Sequence, residues 1–291
     1  MMHTLSYQGW LATILLCGGL FGCGGNDSDT RQPTGPDATS PAPEVIPQPP
    51  QRVAFPSGLS WQWQLSGTVN TGYEVDVYDL DLFDTPASTI ADLKASGRKV
   101  VCYFSAGSWE EWRDDADQFP PSALGNTLDG WEDEKWLDIR RPEVLTIMQA
   151  RLDVALDKGC DAVEPDNVDG YSNNNGLGLT ASDQLSYNQA LAQAAHARNL
   201  AIGLKNNLDQ VAELEPLYDF AVNEQCHEYQ ECDVLTAFSD NNKAVFNAEY
   251  KETYIEDEAK RQTICERSVT LGISSLFLPL DLDDSFRLPC P

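Results

Sequence analysis

Histidine is scarce in this chain. Its three copies, His3, His196 and His227, are too few and too dispersed for a histidine-rich metal centre. Basic residues are also few: 19 Lys and Arg stand against 46 Asp and Glu, for a net charge of −27. Such a polyanion is repelled by phosphate backbones, which excludes nucleic acid as a partner and favours a cationic or neutral one. The chain has no phosphate-binding P-loop, no G-x-G-x-x-G after a strand and no G-x-S-x-G elbow, so nucleotide, dinucleotide and serine-esterase chemistry find no support. The expected cofactor is none, and the expected metal is none. No apolar run is long enough to span a bilayer as a mature helix.

The first 22 residues contain no Asp, Glu, Lys or Arg. Trp10 to Phe21 has the length of a signal-peptide core. Leu20-Phe21-Gly22-Cys23 resembles a bacterial lipobox, which makes Cys23 the expected lipidation site and residues 1–22 the expected signal peptide. Residues 23–56 are rich in Pro, Thr, Ser and Asp and read as a disordered tether. The expectation is an exported protein, either an outer-membrane lipoprotein or secreted, touching a membrane only through a lipid anchor, with a monomer as the expected state. Six further cysteines, Cys102, Cys160, Cys226, Cys232, Cys265 and Cys290, fit an oxidising compartment. Fifteen pairings are open to them. The local pair Cys226–Cys232 and the late pair Cys265–Cys290 are favoured, which leaves Cys102 with Cys160.

Apolar residues make up 42% of the chain, enough for a large core. From residue 57 to 291 short β-rich runs recur at Trp61–Leu65, Val75–Leu80, Val100–Ser105, Ala162–Asp166, Ala201–Lys205, Phe220–Glu224, Ala244–Ala248 and Ser275–Leu280. Helical signals lie between most of them. Pro86 and Pro142 open helices, Gly97 and Gly159 stop them, and Thr180 with Asp183 forms a capping box. Eight strands alternating with helices predict an α/β fold, a single (β/α)8 TIM barrel, with a doubly wound sheet as the alternative. Ser66 to Glu74 is too short to hold a helix. Ala106 to Arg141 reads as an outsized loop carrying Trp109, Trp112, Trp131 and Trp136, which either stack on sugar rings or pack the loop down.

In a barrel the strand ends converge on one mouth. Those ends carry Trp63, Asp79, Asp81, Tyr103, Glu164, Asp166, Lys205, Asn207, Glu224 and Glu249. Carboxylates gathered there repel one another, and that cost implies work. Two carboxyl groups flanking a glycosidic bond are what its hydrolysis requires. Lysine at a barrel strand end also permits Schiff-base chemistry, but nearby carboxylates keep Lys205 protonated and blunt it as a nucleophile.

The runs Lys99–Gly107, Gly159–Tyr171, Gly203–Asn207 and Phe220–Cys226, with Trp136–Arg140 and Phe246–Tyr250, closely resemble glycoside hydrolase family 114, the endo-α-1,4-polygalactosaminidase-like enzymes. The resemblance runs from residue 59 to about 285. It implies a TIM barrel that cleaves α-1,4-linked galactosamine polymers and carries its acid pair at Asp166 and Glu224. Asp166 is then the nucleophile and Glu224 the acid/base of a retaining mechanism, or the reverse. Asp79, Asp81, Glu164 and Glu249 are candidate ammonium or hydroxyl ligands, Tyr103 and Trp63 a subsite platform, and Lys205 and Asn207 further substrate contacts. The expected partner is a cationic or partly deacetylated galactosamine polysaccharide. A surface lipoprotein that binds such a polymer without cutting it is the rival reading.

Overall fold

The computed structural model describes residues 52–291. The signal segment, the lipobox at Cys23 and the tether up to residue 51 lie outside the described residues.

In chain order the elements are β1 (Trp61–Gln64), β2 (Val77–Asp81), α1 (Ala87–Ala95), β3 (Lys99–Ser105), β4 (Ser108–Glu110), β5 (Leu124–Leu128), β6 (Trp131–Leu137), α2 (Pro142–Lys158), β7 (Ala162–Asp166), α3 (Ala181–Ala197), β8 (Ala201–Lys205), α4 (Val211–Leu214), β9 (Phe220–Glu224), α5 (Cys226–Tyr229), α6 (Thr236–Ser239), β10 (Val245–Glu249), α7 (Glu252–Glu256), α8 (Glu258–Leu271), β11 (Ser274–Phe277) and β12 (Leu288–Pro289). Nine strands form one curled sheet in the order β1-β2-β3-β7-β8-β9-β10-β11-β12. The first eight are parallel and β12 runs antiparallel to β11. Among the described residues no ladder joins β11 to β1. Single contacts bridge that seam instead: the Trp61 indole donates to the Ser274 carbonyl, and the Arg287 guanidinium to the Trp61 carbonyl. The fold is therefore TIM-like.

Strand alternation sorts the core into two layers. Tyr78, Leu80, Val100, Cys102, Val163 and Ile202 face the helices, whereas Trp61, Val77, Val101, Ala162, Phe220 and Phe246 face inward. The inner layer is aromatic at its base, where Trp61 stacks on Phe246 with centroids 4.9 Å apart and Phe55 on Phe220 at 4.6 Å. Burying each such ring contributes about 3 kcal/mol. Gly203 makes room for this packing, since a Cβ there would run into the Phe220 ring. Phe55 belongs to the stretch that composition alone assigns to the tether, yet it is 3% exposed and its carbonyl accepts from Ala244 N. The packed domain thus begins before residue 57.

Local signals carry over closely. Thr180 and Asp183 form the reciprocal cap of α3, and Gly159 ends α2 in a left-handed turn at φ 86°. The disulfides are Cys102–Cys160, Cys226–Cys232 and Cys265–Cys290. Cys226, His227 and Cys232 lie together, but the disulfide consumes both thiols. The last helical stretch is broken at Asp257, whose carboxylate caps α8.

The segment after β3 is not an irregular loop. It contains a three-stranded antiparallel sheet in the order β4-β6-β5. Two buried arginines tie it down. Arg113 forks onto Asp81 at 2.6 Å and 3.2 Å and also meets Glu110. Arg151 from α2 reaches Glu110, Asp115 and the Ser105 carbonyl. Long-range ion pairs of this kind leave no local sequence pattern.

Candidate active site

Three strand ends supply the charged centre, and each turns through a left-handed residue directly afterwards. Asn167 follows Asp166 at φ 60°, Asn206 and Asn207 follow Lys205 at 47° and 48°, and Gln225 follows Glu224 at 60°. Asparagine tolerates this region better than other non-glycine residues. Gly107 lets the β3 end approach that turn, because a Cβ there would overlap the Asn167 carbonyl.

Lys205 is the hub. Its buried ammonium lies 3.0 Å from Glu164, 3.2 Å from Asp166 Oδ1 and 3.5 Å from Glu224 Oε2. It also stands 4.6 Å above the Trp63 ring. One cation therefore serves three carboxylates. Burial alone would lower a lysine's affinity for its proton, but the surrounding Asp166, Glu164 and Glu224 charges outweigh it and raise it well above the ordinary range. Schiff-base chemistry at Lys205 is disfavoured accordingly.

Asp166 takes the Tyr103 hydroxyl at 3.0 Å on Oδ2 and the Asn167 backbone N–H at 2.7 Å on Oδ1. Glu224 accepts the Tyr250 hydroxyl at 2.6 Å on Oε1 and the Asn206 amide at 3.1 Å on Oε2. Burial pushes Glu224 up, yet Lys205, Tyr250 and Asn206 together hold it below the usual carboxylate range. Because Asp166 Oδ1 and Glu224 Oε2 touch one ammonium, their separation cannot exceed the sum of its distances to them, 3.2 Å and 3.5 Å.

Both acids line a cleft of about 530 Å³. One wall is formed by the three-stranded sheet, which contributes Trp131, 50% exposed, and by the turn after β4, which contributes Trp112, 54% exposed. The other two tryptophans pack: the Trp109 indole donates to the Ala116 carbonyl, and Trp136 is 7% exposed against Gly170. Glu134 and Asp169 also line the cleft, and neither has a cationic partner within 4 Å among the described residues. Burial, with Glu110 and Asp166 nearby, lifts Glu134 to about 7. Burial and Asp166 lift Asp169 to about 6.

The candidate residues divide by position. Asp166, Glu224, Lys205, Tyr103 and Trp63 meet at the cleft. Asp81 also borders it, but its carboxylate is taken by Arg113 and by the Phe83 and Asp84 N–H groups. Asp79 and Glu164 sit beneath the floor, 1% and 0% exposed. Glu249 faces the helices, where it accepts from His227 N and Asn247. Strand alternation explains this, since Phe246 and Ala248 occupy the inner face of β10 and the next inward position is Tyr250. The Asn207 amide donates to Gln210, within its own turn, and the neighbouring Asn206 is the cleft residue. Arg140, at the end of the matched run Trp136–Arg140, pairs with Asp138 and not with either acid.

A curled α/β sheet with two carboxyl groups sharing one ammonium, in a groove lined by exposed tryptophan, defines a glycosidase built on a TIM-like barrel. The comparison with known families agrees: the chain belongs to glycoside-hydrolase family GH114, whose model matches residues 42–290. Among solved structures it is similar to Aspergillus fumigatus Ega3 in complex with galactosamine, at 42% identity and TM-score 0.78, over 83% of this chain and 99% of that one. It is also similar to the glycoside hydrolase domain of PelA from Pseudomonas aeruginosa, at 14% identity and TM-score 0.62, over 78% and 96%. That second likeness is one of fold. No curated protein matches the chain by sequence.

Proposed function

We propose that this glycosidase cleaves α-1,4-linked galactosamine polymers that carry free amino groups, within the chain, by a retaining two-carboxylate mechanism. The observation that carries the reading is the Asp166–Lys205–Glu224 bridge in the cleft floor. Its two legs, 3.2 Å and 3.5 Å, keep the acids close enough to accommodate the ~5 Å separation of retaining enzymes. The cleft is acidic beyond what its own cations neutralise, with Glu134 and Asp169 unpaired, which suits a polycation. Similarity to a protein captured with galactosamine supports the same sugar. Trp112 and Trp131 offer apolar faces to further sugar rings along an open groove, as internal cleavage needs.

In this mechanism Asp166 attacks the anomeric carbon while Glu224 protonates the departing oxygen. Glu224 then takes a proton from the water that hydrolyses the glycosyl ester. Glu224 is ionised at rest, so as the acid it takes a proton from solvent as substrate displaces the Tyr250 contact. The depressed Glu224 also favours a second reading, in which Glu224 attacks and Asp166 donates. Trapping with a fluorinated glycosyl donor separates the two, because the covalent mass addition falls on the peptide bearing whichever residue attacks. The enzyme is further proposed to work outside the cytoplasm, on the strength of the lipobox-like Leu20–Cys23 and the three disulfides.

Mass spectrometry of products from partly deacetylated galactosamine polymer tests the proposal. Galactosamine oligomers with new reducing ends are expected. Binding without new reducing ends would leave a polysaccharide-binding protein instead.

A further inference from the structure

Beneath the cleft floor lies a buried acid pair that no step of the hydrolysis uses. Asp79 on β2 and Glu164 on β7 point inward and touch each other. Neither Asp79 oxygen has a donor, and Glu164 Oε2 has none. The remaining oxygen, Glu164 Oε1, accepts from Lys205 at 3.0 Å. Three buried carboxyl oxygens in one contact, without a single N–H or O–H from the rest of the protein, cost several kcal/mol if both groups are ionised. A proton held between them satisfies two of the three at once.

The position of that proton follows from the surroundings. Lys205 lies against Glu164, so Glu164 ionises first and Asp79 keeps the proton. The other groups facing the pair are Asp166 on β7 and Tyr103 on β3, with Glu224 on β9 beyond Lys205. The Glu164 and Asp166 carboxylates both disfavour a further negative charge on Asp79. Burial, reinforced by Glu164, raises Asp79 well above the ordinary carboxylate range.

We propose that Asp79 is a positioning residue that carries a proton and donates it in a hydrogen bond to Glu164, so that Glu164 holds Lys205 against Asp166 and Glu224. The inference rests on the reading of Asp166 and Glu224 as the reacting acids. The arrangement is a stack of three levels: a neutral acid, an anion that accepts from it, and a cation anchored by that anion. Lys205 then stands at a fixed height beneath the two acids.

An amide can donate where a protonated carboxyl does, so D79N is the discriminating variant. It is expected to retain kcat within about threefold of the parent, with the same acid limb in its pH profile. D79A leaves Glu164 Oε2 without a donor and is expected to lose about 10- to 100-fold in kcat at nearly constant KM. Infrared difference spectra of the full chain against D79N provide a readout free of activity: a carboxylic C=O band present at neutral pH in the parent is absent from the variant. Loss of activity in folded D79N equal to that in D79A, or no such band in the parent, overturns the proposal. If D79A does not fold, D79N and the infrared band still decide. An inactive parent would refute the hydrolase reading and leave the band to test the proton on Asp79.

Discussion

Replacing Lys205 by methionine removes the only cation among the described residues that touches Glu164, Asp166 and Glu224, and keeps most of the side-chain volume. At 3.5 Å and an effective dielectric of about 20, the attraction between Lys205 and Glu224 is about 5 kcal/mol. Rearrangement and water entry cancel part of that. With roughly half remaining, the Glu224 carboxyl is expected to move upward by about two pH units. The sign is fixed, because losing a neighbouring cation always makes a carboxylate easier to protonate. The measurement is kcat/KM against pH on deacetylated galactosamine polymer, which reports the free enzyme's essential groups. With Glu224 as the acid its protonated form does the work, so the alkaline limb of K205M should rise by about two units. Circular dichroism establishes that the variant is folded. A folded K205M with the parental alkaline limb would refute the idea that Lys205 sets the charge on Glu224.

Y250F removes the 2.6 Å hydroxyl donor to Glu224, and we expect about a tenfold loss in kcat/KM with a smaller upward move of the same limb; parental kinetics would remove Tyr250 from the site. Glu134 and Asp169, lifted to about 7 and about 6, should lose charge as pH falls through those values. KM for free-amine oligomers is therefore expected to rise on acidification by about tenfold, much less so in E134Q, and an equal rise in that variant would dissociate Glu134 from ammonium recognition. Burial, with Arg267 nearby, keeps His227 neutral down to about 4, while the unfolded chain protonates it nearer 6.5. In that window the unfolded state binds the extra proton, so stability falls as pH drops from about 6.5 to 4, by on the order of 2 kcal/mol after allowance for screening. Thermal melts of H227Q should be flatter across that window, and a parental slope would contradict the assignment.

The division between what the sequence reveals and what it hides follows the range of the interactions. Strand positions, the capping box at Thr180 and the stop at Gly159 are written in neighbouring residues, and the structure has them within a few positions. Asp166 and Glu224 are legible because each closes a β-rich run. The inward row Val77, Asp79, Asp81 is also legible as a row, but not the depth of each member. Depth depends on the stagger of strands around the sheet, which puts Asp79 under the floor and Asp81 at its rim. Alternation along β10 already points Glu249 away from the cleft and Tyr250 into it. Glu134 and Arg113 carry no local signal, because their surroundings are assembled from β2, α2 and a separate small sheet.

The account stands on Asp166 and Glu224 being the reacting pair. Its most direct test is the release of reducing ends from deacetylated galactosamine polymer by purified D166N and E224Q, with their melting curves recorded alongside. Each amide variant is expected to stay folded and to lose at least about 1,000-fold in kcat. Activity near the parental level in either folded variant would contradict it.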